Sequence, residues 1–230
     1  MGYKRNFVKF LLTSEALEFG DFTLKSGRKS PYMINTGRFD SGDSLSKLGC
    51  FYAKAIYEKM ELGVIPKDIS VIFGSAYKGI PLAAAASMAM SAAFDLDIGY
   101  CFNRKEAKDH GEGGLLVGRA PKPGGHVLVI DDVMTAGTAL RETAAILAAQ
   151  APEAIIAGSV IAVDRMERGT GQLSAVAQTQ YEMGFPVFSI VDMEETIAEL
   201  KEIRGETETI SLPTQEQIAA IERHLLTYSG

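Results

Sequence analysis

The chain has 230 residues, 47% of them hydrophobic and 23% charged, which is ordinary for a soluble globular protein and enough for one α/β domain with an appendage. A formal net charge of -6 argues against a general nucleic-acid binder, which would ordinarily be basic, so any anion site must be a local concentration of donors. Cys50 and Cys101 are too few for a disulfide framework, so a reducing cytoplasm is expected. Lys4 and Arg5 are not followed by a long apolar core, so no signal peptide is expected. The longest small-apolar run, Pro81 to Phe94, is too short and alanine-rich to span a bilayer.

In chain order, Asn6 to Phe19 reads as an amphipathic helix with Phe7, Phe10, Leu11, Leu17 and Phe19 as apolar positions and Gly20 as its stop. Phe22 to Asn35 reads as a hairpin around Ser26-Gly27. It carries Lys25, Arg28 and Lys29. Arg28 and Lys29 are expected on a solvated tip, and Lys25, on the strand side, is a candidate ligand contact. Ser44 to Met60 reads as a second helix and Ile69 to Phe73 as a buried strand. That strand ends in Gly74-Ser-Ala-Tyr-Lys-Gly79, followed by Pro81 and an alanine-rich helix. A glycine-bearing turn with a lysine suits an anion, although a βα loop that needs glycine for its dihedrals explains it as well.

Ile98 to Phe102 reads as a short strand, and Asn103 to Gly114 as a polar loop without an apolar face, expected to be mobile. Arg104, Lys105, Lys108 and His110 on that loop suit a lid over a polyanion. Past Leu115 to Val117 comes the most informative stretch, Val127-Leu-Val-Ile-Asp-Asp-Val-Met-Thr-Ala-Gly-Thr-Ala139. Its apolar run reads as a strand buried on both faces. Ala139 to Gln150 reads as a helix. A helix start presents unpaired N–H groups and a positive dipole end, which suit a phosphate. Gly137 lets the backbone come close, and Thr135 and Thr138 add hydroxyl donors. A bare phosphate cradle has no use for Asp131 and Asp132, but a sugar phosphate does, because carboxylates accept hydrogen bonds from vicinal hydroxyls. Acidic N-capping alone also explains an Asp-Asp pair. Ile155 to Val163 and Val187 to Val191 read as further strands, and Met193 to Ile203 and Thr214 to Tyr228 as closing helices. Arg165, at a strand's carboxyl end, is expected on the same rim as the other turns.

The Val127–Ala139 string closely resembles the phosphoribosyl diphosphate (PRPP) signature of the type I phosphoribosyltransferases. With Phe22 to Tyr32, Gly74 to Pro81, Tyr100 to Gly114 and Asp164-Arg165, it resembles the orotate phosphoribosyltransferase family, in order and spacing, over residues 3 to 200. The resemblance implies an α/β fold: a central, mainly parallel sheet flanked by helices, with residues 1–40 as an N-terminal hood over the base and 41–230 as the core, its lid at 103–114. It implies transfer of the phosphoribosyl group to orotate with Mg²⁺, in a homodimer whose lid reaches the partner's site. Asp131 and Asp132 would hold the ribose hydroxyls, with Mg²⁺ held mainly by PRPP. Val133 and Met134 would contact PRPP, and Thr135, Ala136, Gly137, Thr138 and Ala139 would hold the 5-phosphate. Tyr77 and Lys78 would meet the diphosphate, with Arg104, Lys105, Lys108 and His110 closing over it. Lys25 would contact PRPP and orotate, and Met33, Ile34, Thr135 and Arg165 would contact orotate. Close relatives carry an aromatic pair where this chain has Met33-Ile34. A uracil-specific enzyme would have no carboxylate for Arg165, and a PRPP-binding regulator would not need the lid lysines.

Overall fold

The structure, a computed structural model, describes residues 2–24, 27–108, 114–169, 171–203 and 212–230, the side chains of 107 and 108 excepted. The chain runs α1 (Tyr3–Thr13), β1 (Leu17–Thr23), β2 (Lys29–Ile34), a short 3-10 helix (Thr36–Arg38), α2 (Gly42–Glu61), β3 (Ile69–Gly74), α3 (Gly79–Phe94), β4 (Gly99–Lys108) and β5 (Gly114–Gly118). It continues through β6 (His126–Ile130), α4 (Thr138–Gln150), β7 (Ile155–Asp164), α5 (Ala175–Met183), β8 (Val187–Asp192), α6 (Met193–Ile203) and α7 (Gln215–Tyr228).

Six strands form one sheet in the order β5-β4-β3-β6-β7-β8, and β1 and β2 form a separate antiparallel hairpin. All pairs in the large sheet are parallel except β4 with β5. The period-2 alternation of β6 shows why its run is apolar throughout. Leu128 and Ile130 pack with α1, α2, α3, α6 and α7, while Val127 and Val129 pack with Leu140, Leu147 and Val176 of α4 and α5. The sheet is thus covered on both faces, and the carboxyl ends of β3, β6 and β7 open onto the rim that carries the candidate residues.

Several elements differ from the sequence reading. The first helix stops at Thr13: Ser14 Oγ donates to Phe10 O at 2.6 Å and Glu15 turns to φ +54°, so Leu17 and Phe19 become strand residues paired with Ile34 and Tyr32. Arg28 is not a solvated tip. It donates to Glu167 Oε2 at 2.9 Å and lies over the Tyr228 ring, whereas Lys29 is exposed and donates to Thr23 Oγ1. Of the segment expected as a loop, Asn103 to Gly114, residues 103–108 are the outer half of β4, laddered against β5 through Asn103 with Leu116 and Lys108 with Gly114, and 109–113 lie outside the described residues. Helix α5, capped by Ser174 Oγ, carries no expectation above, because its apolar positions are diluted by Gln178, Thr179 and Gln180.

Candidate active site

The acidic pair sits where β6 ends. Tyr52, fully buried on α2, donates its hydroxyl to Asp131 O at 2.8 Å and so fixes the backbone of the pair. Val133 bridges to Val163 of β7, and Ala162 N donates to Asp132 O at 2.8 Å. The two carboxyls have opposite environments. Asp132 Oδ2 accepts from Thr36 Oγ1 at 2.6 Å and from Lys78 Nζ at 2.9 Å, and Oδ1 accepts from Val133 N. Burial works against its charge, but the Thr36 and Lys78 hydrogen bonds outweigh it and hold the carboxyl below the usual range. Asp131 pairs with no cation among the described residues: burial and then the Asp132 charge push its carboxyl up to about 6.

Beyond the acids the chain makes the small-residue turn. Gly137, with φ +71°, caps α4 in the left-handed region, and a Cβ there would run into Thr179 Oγ1 of α5. Arg141 braces the turn: Nη1 donates to Ala136 O at 2.7 Å while Nη2 pairs with Glu182. A cavity of about 310 Å³ opens there, lined by Ser75, Asp131, Val133, Thr135, Gly137, Thr138, Ala139 and neighbours. Thr135, Ala136, Thr138 and Ala139 are exposed, whereas the Met134 side chain belongs to the core, so only its backbone can face a ligand.

The second turn, after β3, packs tightly: a Cβ on either Gly74 or Gly79 would meet the other's backbone. The Ala76–Tyr77 peptide is cis. Asn103 of β4, 6% exposed, accepts from Ala76 N at 3.0 Å, and Lys105 Nζ lies 5.8 Å from the centre of the Tyr77 ring. Asn103 and Lys105 therefore face this turn, and between Asn103 and Lys108 the ladder on β5 shifts register. Arg104 Nη1 donates to Gly114 O at 3.0 Å.

At the end of β7, Arg165 is 8% exposed and its guanidinium lies 4.2 Å from the centre of the Tyr32 ring. Met33 and Ile34 are half-buried on β2, with Ile34 packed against the core. The structure thus brings Thr36, Lys78, Asp131, Asp132 and the 133–139 turn to one rim, and Asn103, Tyr77 and Lys105 to another part of it. Arg165 joins the hairpin instead, through Ser30 and Tyr32. Lys25 and His110 lie outside the described residues, as does the Lys108 side chain. Thr36, Asn103 and Glu167 carry no assigned role in the sequence reading. Asp-Arg-x-Glu after a strand was the signal for Glu167, and nothing local marks Thr36.

Residues 49–176 match the family model described as phosphoribosyl transferase domain. The chain is 48% identical over 225 residues to the orotate phosphoribosyltransferase of Bifidobacterium adolescentis, covering 97% of this chain and 96% of that one. It is 52% identical over 200 residues to the Pseudomonas aeruginosa protein of the same name, covering 87% and 89% respectively. The crystal structure of orotate phosphoribosyltransferase from Francisella tularensis superposes with a TM-score of 0.80 at 35% identity, covering 98% of this chain and all of that one. The sheet, the acid pair and the small-residue turn define the type I phosphoribosyltransferase class. Within it, the chain belongs to the orotate phosphoribosyltransferase family.

Proposed function

We propose that the protein transfers the 5-phosphoribosyl group of PRPP to orotate, giving orotidine 5′-monophosphate and diphosphate in pyrimidine biosynthesis. The observation that carries this reading is the Asp131–Asp132 pair set directly above the Thr135–Ala139 turn and its cavity, in a chain about half identical to enzymes of that name. The turn takes the 5-phosphate on backbone N–H groups and hydroxyls. The acids accept from the ribose hydroxyls and favour positive charge on the sugar ring. Lys78 exchanges Asp132 for the diphosphate, where Lys105 joins it. As the bond from C1 to the diphosphate breaks, a ring nitrogen of orotate forms the new bond to C1, and its proton passes to the departing diphosphate or to water. Cations placed where leaving-group charge grows are the largest expected term. Closure of the lid keeps out water that would hydrolyse PRPP.

Mg²⁺ is the proposed cofactor. Among the described residues no group of three or more His, Cys, Asp or Glu could hold a metal. Asp131 and Asp132, two carboxylates at the end of β6, would suit contact through water with an ion carried mainly on PRPP's phosphates. When bound it neutralises the diphosphate. The proposed assembly is a homodimer in which Lys105, lying over Tyr77 of its own chain, serves that chain's site, while Arg104, Lys108 and His110 reach the partner's. No described helix is long and apolar enough to cross a membrane, and the cytoplasm is the proposed location.

Orotate consumption with PRPP and Mg²⁺, with uracil alongside, tests the reading. Orotate should be consumed and uracil not; the opposite result would overturn it.

A further inference from the structure

After β7 the chain turns sharply. Asp164 Oδ1 accepts from Met166 N at 2.7 Å, and Met166 takes φ +56°, a left-handed conformation rare for a residue with a long side chain. That turn brings Arg165 and Glu167 together. Arg165 Nε and Nη2 lie 3.0 and 2.5 Å from Glu167 Oε1, and Nη2 also donates to Ser30 Oγ at 3.1 Å. Nη1 has no hydrogen-bond partner among the described residues. A guanidinium has five N–H groups, so the Nη1 edge is left to meet a ligand.

Glu167 is itself held from three sides. Arg28 of the hairpin donates to Oε2 at 2.9 Å, Tyr32 Oη to Oε1 at 3.3 Å, and His224 Nε2 lies 3.0 Å from Oε1. His224 comes from α7, is 7% exposed, and packs edge-on against Tyr32 and tilted on Tyr228. Burial disfavours the Glu167 charge, but Arg165 and His224 outweigh it and hold the carboxyl below its ordinary range. A leucine would fill the place of His224 without the cost of burying a polar ring. The ring instead fixes the oxygen on which Arg165 rests. The hood, the end of β7 and the last helix thus meet on one carboxylate.

We propose that Glu167 and His224 are positioning residues that aim Arg165 Nη1 at the carboxylate of the substrate base. This rests on the reading of Arg165 as the orotate contact. Neither residue touches the substrate; both act through the guanidinium. A merely structural pair would affect both substrates alike, whereas a positioning pair affects the base alone.

The test uses His224→Phe, His224→Gln, Glu167→Gln, Arg165→Ala and the double variant His224→Phe with Arg165→Ala, each checked for folding by thermal melting. His224→Phe should raise the KM for orotate about tenfold, the scale of one charge-assisted hydrogen bond, and leave the KM for PRPP within about twofold. His224→Gln, which restores a donor, should recover most of that loss. Glu167→Gln should show the same orotate-only loss, and serves as the test if His224→Phe does not fold. In the Arg165→Ala background, His224→Phe should add nothing further. A folded His224→Phe with unchanged orotate KM, equal losses for both substrates, or full additivity with Arg165→Ala overturns the inference. Should Arg165→Ala itself leave orotate KM unchanged, the Arg165 assignment falls with it. An orotate-specific loss in Arg165→Ala beside silent His224 and Glu167 variants overturns the positioning role alone.

Discussion

Lys78 Nζ lies 2.9 Å from Asp132 Oδ2, the same oxygen that accepts from Thr36 at 2.6 Å. The two groups that PRPP needs separately, a cation for its diphosphate and an acid for its ribose, are thus joined to each other. Lys78 is 69% exposed but the Asp132 side chain only 11%, so losing Lys78 leaves a largely buried carboxylate one hydrogen bond short, at about 1–3 kcal/mol. Lys78→Met should therefore lower stability by about 1–3 kcal/mol and lower kcat by about 10²–10³, the scale for one donor aimed at developing charge. Steady-state rates beside thermal melts test this; a near-wild-type kcat would remove Lys78 from the diphosphate.

Asp131 has the opposite balance. Its carboxyl rises from an ordinary 3.8 to about 6 on folding, through burial first and the Asp132 charge second. The folded protein therefore holds this proton more tightly than the unfolded chain. The contribution to stability is full below about pH 4 and is lost as pH climbs through about 6. Asp131→Asn is neutral throughout and its Oδ1 can still accept from Asp132 N, a bond of 2.9 Å in the parent. It should be more stable than the parent near pH 7.5 by up to about 2–3 kcal/mol, with the gap closing near pH 4. Turnover should fall sharply, because a ribose hydroxyl loses its charged acceptor. Urea titrations at the two pH values and rate measurements check both halves, and equal stability near pH 7.5 would show that the burial of Asp131 is not costly.

Asn103 ties β4 to the turn after β3 through its 3.0 Å bond from Ala76 N. Asn103→Ala leaves that N–H without its partner, at about 1–3 kcal/mol. The turn should loosen, and the KM for PRPP should rise several-fold while that for orotate stays within about twofold. Saturation curves for each substrate distinguish this from general destabilisation, which would reduce the active fraction and leave both KM values alone.

Much of the fold was legible because the signals were local. The run Val127 to Ile130 is buried on both faces, as its unbroken apolar character implies. Leu17 and Phe19 misled because their spacing fits a strand as well as the tail of a helix; the decisive partners, Ile34 and Tyr32, lie across the hairpin. The charges of Asn103 to Lys108 hid a strand whose ladder is set by Leu116 and Gly114. Arg28 looked solvated because its partner, Glu167, is 139 residues away. His224 was invisible for the same reason, since nothing in α7 announces that one of its residues reaches the end of β7.

The last prediction concerns sharing of the site. On β4, Lys105 lies over Tyr77 of its own chain, and Lys108 pairs with Gly114 at the far end of the strand. The proposed homodimer has Lys108 serving the partner's site, so a lesion at Lys108 and one at Asp132 should complement. Lys108→Ala and Asp132→Asn should each be nearly inactive alone. Mixed equally under conditions that let subunits exchange, random pairing places about half the protein in mixed dimers, each with one site built from two intact halves. Activity should recover to roughly a quarter of wild type. Lys105→Ala in place of Lys108→Ala should not recover, because its lesion stays in the site its own chain builds and the partner's site already carries Asp132→Asn. Mass spectrometry verifies that mixed dimers have formed. If they have, and the Lys108→Ala mixture stays inactive, each lid closes over its own chain and the shared site is ruled out.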